Sequence, residues 1–369
     1  MILLASLAAA AWVYLALGHG RFWQAGPVLP RARPASAPRV DIIVPARDEA
    51  EVIGAAIGSL LAQDVPAFRV TLVDDGSADA TAAIARRLGD ARLVVLSGAA
   101  RPPGWAGKLW ALHQGIAATD APWLLLTDAD IVHDPAHLAA LLAQAERSGA
   151  DLVSEMVELA CANRAERALV PAFVYFFQLL YPFARVNDPA SPAAAAAGGT
   201  VLVRRAALER IGGIAAIKGA LIDDVALARA IKAHGRIWLG HSKLARSIRP
   251  YATFADIWRM VARSAYVQLQ FSPLLLAGTL AGLTLLFLGP PIAALAAHGA
   301  ARWLGLFAWA LMAATLLPTL RRFRLSPLRA LLLPAVAAFY MAATFGSALD
   351  HHRGRGVVWK RRAYTERQA

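Results

Sequence analysis

Residues 40–88 read VDIIVPARDEAEVIGAAIGSLLAQDVPAFRVTLVDDGSADATAAIARRL, and their pattern decides the fold class. A short apolar run of strand length leads into a helix-like segment, and this pair of patterns repeats along the chain. Alternation of strands and helices favours a parallel sheet with helices on both faces. We therefore predict an α/β domain with a mostly parallel sheet. The predicted strands are residues 40–44, 69–73, 93–96, 123–127 and 152–157, and the predicted helices lie near 49–62, 78–88, 108–118 and 135–148.

The composition points away from a fully soluble protein. Hydrophobic residues make up 58% of the 369 residues and charged residues only 17%, whereas an ordinary soluble domain carries roughly 25% charged residues. The formal net charge of +13 suggests cytoplasmic faces and anionic lipid headgroups before it suggests nucleic acid. We expect no nucleic-acid partner. Cys161 is the single cysteine, which excludes an intramolecular disulfide and any metal site built from several cysteines.

An uncharged apolar segment at residues 2–17 is followed by several arginines and preceded by no basic residue. A secretory signal normally places positive charge before its apolar stretch. We therefore interpret residues 1–20 as an uncleaved membrane anchor with its C-terminal side in the cytoplasm. A cleaved signal is the alternative. Residues 21–39 are rich in Pro, Ala and Arg and are typical of a linker.

The C-terminal third of the chain predicts a membrane region. Its basic loop at 321–329 should be cytoplasmic, but three full crossings would then place the basic tail outside, so the number of crossings stays open. The sequence GPP at 289–291 interrupts the first apolar stretch, which is either re-entrant or split in two. The three long apolar stretches are residues 273–297, 303–320 and 328–349.

Two further apolar segments need a separate interpretation. Residues 168–184 form an uncharged run, which we expect to be a helix at the membrane surface or in the core, bounded by Pro171 and Pro182. Residues 254–271 place their apolar side chains on one helical face, which predicts an interfacial amphipathic helix, with a plain surface helix as the alternative. The predicted organisation is an anchor (1–20), a linker (21–39), the α/β domain (40–252), the interfacial helix (253–272), a membrane region (273–350) and a basic cytoplasmic tail (351–369).

Two acidic pairs follow predicted strands, where the ligand crevice of an open α/β sheet lies. Asp74 and Asp75 suit hydrogen bonds to a base or ribose, although capping of the next helix by Asp75 or Ser77 is the simpler interpretation. Asp128 and Asp130 have the i, i+2 spacing with which two carboxylates on a turning backbone can converge on one hard cation, such as Mg²⁺ or Mn²⁺.

Two more polar pairs lie near the starts of predicted helices. His133 and His137 have an i, i+4 spacing that could suggest zinc, but we expect surface histidines because Asp134 opens a helix directly after the first. Asp223 and Asp224 precede a helical run. They either cap that helix, where the dipole favours negative charge, or supply a general base that takes a proton from an acceptor hydroxyl.

The segments VDIIVPARDEAEVI (40–53), VDDGSADAT (73–81), LLTDAD (125–130) and IDD (222–224), in this order and spacing, resemble the family 2 inverting glycosyltransferases of GT-A fold. The resemblance covers about residues 38–270 and implies a Rossmann-like catalytic domain flanked by N-terminal and C-terminal transmembrane helices. Four further stretches look like the hopene-associated glycosyltransferases of hopanoid-producing bacteria. They are PPGWAGKLWALHQG (102–115), PAFVYFFQLLYPFARVND (171–188), AAAAAGGTVLVRRAALERIGGI (193–214) and GALIDDVALARAIK (219–232).

The resemblance implies a role for most of the polar residues. Asp224 should be the base, with Asp223 beside it. Asp128 and Asp130 should hold the ribose and the metal–diphosphate. Lys108 either contacts the diphosphate or is a solvated lysine. The remaining implied donor contacts are Pro45, Arg47 and Glu49 at the end of the first strand, Asp74 or Asp75 at the uridine, and Gly198 and Gly199 where the backbone approaches the donor or acceptor.

One departure separates this chain from the processive members of the family, which carry Gln-x-x-Arg-Trp before their membrane helices. The matching region reads MVARS at 260–264 and keeps only Arg263. This favours a single transfer to a lipid over polymer synthesis, and Arg259 and Arg263 become candidates for contacts with the leaving group. The resemblance also implies that the tail, with Trp359, Lys360 and Arg361, folds back over the site.

Together these observations predict a membrane-bound inverting glycosyltransferase that moves a sugar from a nucleotide-sugar, a UDP-sugar by resemblance, to a lipid hydroxyl, with a hopanoid as the implied acceptor. We expect it in the bacterial inner membrane as a multi-pass protein whose catalytic domain faces the cytoplasm. A processive polysaccharide synthase and a catalytically silent scaffold of a lipid-synthesis complex are the alternatives. A transporter is disfavoured because no apolar stretch carries paired charges. The sequence leaves the sugar, the metal and the oligomeric state open.

Overall fold

The computed structural model describes residues 1–354, 357–359 and 362–364. The chain divides into two compact units. The sheet unit contains the described residues of Pro27–Ala160, Arg185–Pro250 and Trp359–Ala369, and the helical unit contains those of Met1–Gly26, Cys161–Ala184 and Tyr251–Val358. Lys360 and Arg361 of the predicted tail lie outside the described residues.

The helices of the described chain are more numerous than the sequence pattern suggests. They are α1 (Ile2–Leu17), α2 (Ile53–Leu61), α3 (Thr81–Arg86), α4 (Gly107–Ala117), α5 (His137–Ser148), α6 (Arg164–Leu180), α7 (Phe183–Asn187), α8 (Arg205–Arg210), α9 (Asp223–Lys232), α10 (Phe254–Gln268), α11 (Pro273–Leu283), α12 (Gly289–Ala296), α13 (Gly299–Arg322) and α14 (Leu333–His352).

An eight-stranded mixed sheet forms the centre of the sheet unit. Its strands are β1 (Val40–Ala46), β2 (Phe68–Asp74), β3 (Leu93–Ser97), β4 (Trp123–Thr127), β5 (Ile131–His133), β6 (Leu152–Glu158), β7 (Thr200–Arg204) and β8 (Ile237–Ser247). Their order is β3-β2-β1-β4-β7-β6-β8-β5. The β1–β2, β1–β4, β2–β3 and β6–β8 pairs are parallel, whereas β7 is antiparallel to both β4 and β6, and β5 is antiparallel to β8. The predicted α/β class with a mostly parallel sheet is confirmed. Two short strands, β9 (Val357–Trp359) and β10 (Arg362–Tyr364), follow near the C-terminus.

The predicted strands are near-continuous apolar runs because the helices cover both faces of this part of the sheet. Every residue of β1 is buried, and all residues of β4 are buried as well. Helix α4 approaches β1 closely, since a Cβ atom on Gly115 would lie 2.5 Å from a methyl carbon of Ile43. Only glycine permits this approach, which packs the last turn of α4 against the middle of β1.

Three strands of the sheet were not expected from the sequence. They are β5, β7 and β8, and each takes part in antiparallel pairing. Strand β7 follows an alanine run and two glycines, which do not indicate a strand. Strand β8 mixes apolar residues with His, Ser, Lys and Arg, so it is not a continuous apolar run like the earlier strands. Strand β5 has only three residues. Their pairing partners, rather than local sequence, fix these strands in the sheet.

The helical unit contains three helical segments that are long and apolar enough, by length and composition, to cross a membrane. In the first of them, GPP at 289–291 does not interrupt the helix, because a π-helical segment at Thr284–Leu288 leads directly into α12 and places the prolines in its first turn, where a missing N–H is tolerated. Helix α1 is apolar but shorter. The three segments are Pro273–Ala296, Gly299–Arg322 and Pro327–His352.

The expectation that Pro171 bounds a helix is wrong, because Pro171 lies inside α6. A proline in a helix interior removes one backbone hydrogen bond and leaves the carbonyl four residues earlier without its partner. Here that carbonyl belongs to Arg167, and the Arg329 guanidinium donates to it at 3.0 Å. Helix α6 starts with a capping box, in which Asn163 Oδ1 accepts from the backbone N–H of Glu166 at 3.0 Å.

Candidate active site

The carboxyl ends of β1 and β2 lie side by side at one edge of the sheet. The parallel register sets Ala46 beside Asp74, and the backbone N–H of Asp75 donates to the Ala46 carbonyl at 2.8 Å. Asp74 accepts hydrogen bonds from the Ser77 backbone and hydroxyl, so it caps the turn after β2. Asp75 is buried, and its carboxylate lies 3.8 Å from the Arg47 guanidinium. The expectation that Asp75 or Ser77 caps the next helix is wrong, because α3 begins at Thr81 and its N-cap residue, Ala80, makes no side-chain hydrogen bond.

Lys108 connects two of the acidic clusters. Its Nζ lies 2.9 Å from Asp128 Oδ1 and 3.1 Å from Asp223 Oδ2. Burial disfavours the ammonium, but the carboxylates of Asp128 and Asp223 outweigh it and raise the pKa of Lys108 above its ordinary value. Lys108 is thus a paired cation in the first turn of α4 rather than a solvated lysine.

Asp128 is fixed at the end of β4 by the loop that precedes β7. Its backbone N–H donates to the Gly199 carbonyl at 3.1 Å, and the hydroxyl of Thr127 donates to the same carbonyl at 2.9 Å. Burial raises the pKa of Asp128, and the Lys108 ammonium opposes this rise. Gly199 is therefore a structural part of the site, and a Cβ atom at this position would lie 3.2 Å from a methyl carbon of Val157.

Asp224 lies in the first turn of α9 with Asp223. A Cβ atom on Gly198 would lie 3.1 Å from Asp224 Oδ2, so the glycine backbone passes directly over this carboxylate. Burial, followed by the neighbouring Asp223 charge, raises the pKa of Asp224 to about 7, against the opposing effect of Lys108. A carboxylate with this pKa can both exist ionised near neutral pH and accept a proton.

A pocket opens among these residues in the sheet unit. Its polar lining consists of three acidic residues, one lysine, Thr127 and the backbone of Gly198, and its remaining lining is apolar. The pocket brings together six of the residues singled out from the sequence. They are Pro45, Lys108, Asp128, Gly198, Asp223 and Asp224.

Asp130, the second carboxylate of the i, i+2 pair, has an arginine partner that the sequence analysis did not identify. Arg249 Nε donates to Asp130 Oδ2 at 2.7 Å, and its Nη2 donates to both carboxylate oxygens of Glu49 at 2.7 and 2.8 Å. Burial disfavours its charge, but these two carboxylates raise the pKa of Arg249. Arg259 and Arg263, the arginines proposed from the sequence, belong to the helical unit and are exposed on α10.

A comparison with protein-family models finds a match to "Glycosyl transferase family 2" over residues 41–212. Residues 41–212 form a family 2 glycosyltransferase domain. The match includes Glu49, Asp74, Asp75, Asp128 and Asp130, and it ends before Asp223, Asp224 and Arg249. The finer resemblance to hopene-associated enzymes stays a prediction.

The curated relatives of this glycosyltransferase domain match over short segments. The succinoglycan biosynthesis protein ExoO of Rhizobium meliloti is 32% identical over 124 residues, which are 33% of this chain and 34% of the relative. A 4,4′-diaponeurosporenoate glycosyltransferase of Staphylococcus aureus is 37% identical over 90 residues, which are 24% of this chain and 23% of the relative. The chain thus spans about a third of the first relative's length and about a quarter of the second's.

A solved structure supports the fold over almost the whole chain. The mannosyltransferase PcManGT from Pyrobaculum calidifontis, solved in complex with GDP-Man and Mn²⁺, superposes with a TM-score of 0.54 at 20% sequence identity. The superposition covers 94% of this chain and 99% of that one. At this identity the similarity shows a shared GT-A fold and nothing finer.

The expectation of surface histidines in the glycosyltransferase domain is wrong. His133 and His137 are both buried, with their Nδ1 atoms 2.9 Å apart, and His137 Nε2 lies 2.5 Å from a buried Glu155 oxygen. His133 Nε2 reaches the Thr127 hydroxyl at 3.2 Å. The reason is β5, which ends at His133 and pairs with β8 inside the unit. This buried chain of side chains connects Glu155 to the end of β4, directly before Asp128.

Proposed function

We propose that this protein transfers a sugar from a nucleotide-sugar to a lipid hydroxyl with inversion at the anomeric carbon. The observation that carries the proposal is the position of Asp224. Its carboxylate, with a pKa of about 7, lines the same pocket as Asp128 and Lys108. The end of β4, where we propose that the donor binds, and a carboxylate able to accept a proton near neutral pH therefore line the same pocket.

The reaction requires one bond to form and one to break. The acceptor oxygen attacks the anomeric carbon, and the bond between that carbon and the donor's diphosphate oxygen breaks, so that the nucleoside diphosphate leaves. The proton of the acceptor hydroxyl passes to Asp224. Removal of this proton as the bond forms is general base catalysis, which typically contributes about 10²–10⁴-fold to the rate. Asp223 maintains the pKa of Asp224 through its charge and anchors Lys108.

The donor is proposed to lie across the strand ends. Pro45, Arg47 and the Asp74–Asp75 pair would border its nucleoside, and Lys108 would meet its phosphates beside Asp128. A uridine nucleotide is our proposal for the donor. Gly198 and Gly199 let the backbone come close to the reacting centre, and a Cβ atom at Gly198 would lie in tight contact with Asp224 Oδ2, at 3.1 Å.

A divalent cation fits the chemistry of this site. Acidic side chains outnumber basic ones around the pocket, so an anionic diphosphate needs added positive charge to bind there. Among the described residues no group of three or more His, Cys, Asp or Glu side chains could hold a metal ion by itself. Mg²⁺ commonly takes one or two carboxylates and completes its coordination with substrate phosphates and water. Asp130 and Asp128 would hold the ion, Mg²⁺ or Mn²⁺, which when bound would neutralise charge on the leaving diphosphate.

The acceptor is proposed to be a membrane lipid, with a hopanoid as the specific candidate. The helical unit supports membrane association through its three long apolar segments. Its helix α10 begins with a capping box at Thr253 and exposes Phe254 beside charged residues, as an interfacial helix would. We further propose that the protein is a multi-pass protein of the bacterial inner membrane and that the sheet unit faces the cytoplasm.

The test is product formation by the full-length protein in vesicles. The protein would be incubated with UDP- and GDP-sugars and with a panel of lipids that includes hopanoids, and the products would be identified by mass spectrometry. A single sugar on a lipid supports the proposal. A polymer would indicate a processive synthase, and no transfer with any pair would contradict the enzymatic proposal. The same assay would include Asp224→Asn, which removes the proposed base. Its matched control is Asp120→Asn, because the Asp120 side chain is 91% exposed and pairs at the surface with Arg39.

A further inference from the structure

Arg249 links two acidic residues that come from different strand ends. Glu49 follows β1 and Asp130 follows β4, while Arg249 comes just after β8. The guanidinium donates three hydrogen bonds of 2.7–2.8 Å to these two carboxylates. The backbone reinforces the contact, since the N–H of Ile248 donates to the Asp130 carbonyl at 2.9 Å. The arrangement holds Arg249 beside the carboxylate assigned above to the cation and the diphosphate.

The guanidinium does not use all of its donors in this arrangement. Its Nη2 serves Glu49 and its Nε serves Asp130, and Nη1 makes no hydrogen bond with any residue in the described part of the chain. The Arg249 side chain keeps 36% of its surface exposed, whereas the side chains of Glu49 and Asp130 keep only 10% and 12%. The two carboxylates are therefore largely covered, and the arginine is the member of the cluster that faces outward.

We propose that Arg249 binds the diphosphate of the sugar donor and that Glu49 orients it. The inference rests on the proposed function, because it concerns the same donor site. A guanidinium presents its N–H donors in a rigid planar fork that suits phosphate oxygens. Both carboxylate oxygens of Glu49 accept from Nη2 and Asp130 accepts from Nε, which fixes the orientation of that plane. The Nη1 donors then remain available for a phosphate oxygen of the donor.

Exposure distinguishes this role from that of a buried structural ion pair. One arginine contacts both carboxylates, and it is the most exposed of the three side chains. An anionic ligand approaching this edge meets Arg249 as the exposed cation of the cluster. Glu49 is thus a positioning residue that acts through Arg249, which revises its expected direct contact with the nucleotide.

The experiment measures binding rather than turnover. Affinities of UDP, UMP, GDP and GMP for the detergent-solubilised full chain would be measured by calorimetry, in Mg²⁺ and in chelator. For the nucleoside diphosphate that the wild type binds, we expect Arg249→Gln to weaken affinity about 10- to 100-fold, as for the loss of hydrogen bonds to a charged group. Affinity for the matching monophosphate should change less than about twofold, since the second phosphate is absent. The diphosphate affinity of Arg249→Lys should lie between those of the wild type and Arg249→Gln, because lysine keeps the charge and lacks the planar fork of N–H donors.

Two further variants separate the proposed role from damage to the fold. Arg246→Gln changes an exposed arginine of β8 three residues away and should leave every affinity unchanged. Glu49→Gln should weaken binding of the diphosphate and not of the monophosphate, because Arg249 loses its orienting partner. Equal loss for diphosphate and monophosphate in Arg249→Gln, or no loss for either, would overturn the proposal. If the wild type binds no nucleotide, the proposed function fails first, whereas wild-type binding with an unaffected Arg249→Gln refutes only the role of Arg249.

Discussion

The pH dependence of sugar transfer should follow the ionisation of Asp224. Burial and the Asp223 charge raise the pKa of this carboxyl to about 7, and only the ionised form can accept the acceptor's proton. With a pKa near 7, about a tenth of the enzyme is active at pH 6 and about nine-tenths at pH 8. We therefore expect kcat/KM to rise about tenfold between pH 6 and pH 8, in assays at fixed ionic strength.

Asp223→Asn tests why kcat/KM rises between pH 6 and pH 8, which is the rising limb of the pH profile. The substitution removes the negative charge that raises the pKa of Asp224 and frees Lys108 from one of its partners. Both changes favour the Asp224 carboxylate, so the rising limb of the pH profile should move to lower pH, by about one unit if the two carboxylates interact as closely placed like charges do. Asp120→Asn serves as the control and should leave the limb in place. A wild-type limb below about pH 5, or an unmoved limb in Asp223→Asn, would refute the reasoning.

Three other consequences of the structure can be measured directly. Gly198→Ala should lower turnover about tenfold or more with little change in melting temperature, because its Cβ would press on Asp224 Oδ2 at 3.1 Å; unchanged turnover would show that the close approach is not needed. Glu155→Ala should lower the free energy of unfolding by about 2–4 kcal/mol, since it leaves His137 buried without its carboxylate partner, and urea titration would show a smaller loss if the buried chain is unimportant. A chain lacking residues 1–20 should still sediment with membranes through the three long apolar segments, and recovery in the soluble fraction would contradict their proposed role.

The sequence predicted the parallel part of the sheet well because those strands are continuous apolar runs. All five predicted strands are present within two residues at each end. Strands β5, β7 and β8 were missed because their stability comes from pairing with distant partners rather than from local texture. The same omission explains the error at His133, since a residue next to Asp134 and Pro135 looks like part of a loop until β5 is known to pair with β8.

The acidic residues that follow β2 and β4 could be predicted because the carboxyl ends of parallel strands meet at one edge of an α/β sheet. Arg249 could not, because its partners Asp130 and Glu49 lie 119 and 200 residues earlier in the chain. No local motif marks it, and it becomes part of the site only when β8 joins the sheet. The position of Arg249, just after β8, could have suggested its role only if β8 had been predicted as a strand. Pro171 was misread because Arg329, which compensates for it, lies 162 residues after Arg167, whose carbonyl it contacts.

The stability of the Asp224→Asn variant can be anticipated from the same pKa. The folded state raises the pKa of Asp224 from 3.8 to about 7, so the folded protein binds a proton more tightly than the unfolded chain. This ionisation therefore costs stability progressively as pH rises from about 4 to about 7, and the cost is fully present above that range. Asparagine carries no such cost, and the variant should melt no lower than the wild type at pH 8.

The most direct test of the central claim compares chemistry and donor binding in Asp224→Asn. Single-turnover transfer and affinity for the nucleoside diphosphate would be measured on the same full-length preparation in vesicles, beside the wild type and Asp120→Asn. The structure predicts that transfer falls by about 10²–10⁴-fold, as for loss of a general base, while nucleotide affinity changes less than about twofold. Retention of more than about a tenth of wild-type transfer, with normal nucleotide binding, would contradict the assignment of Asp224 as the base.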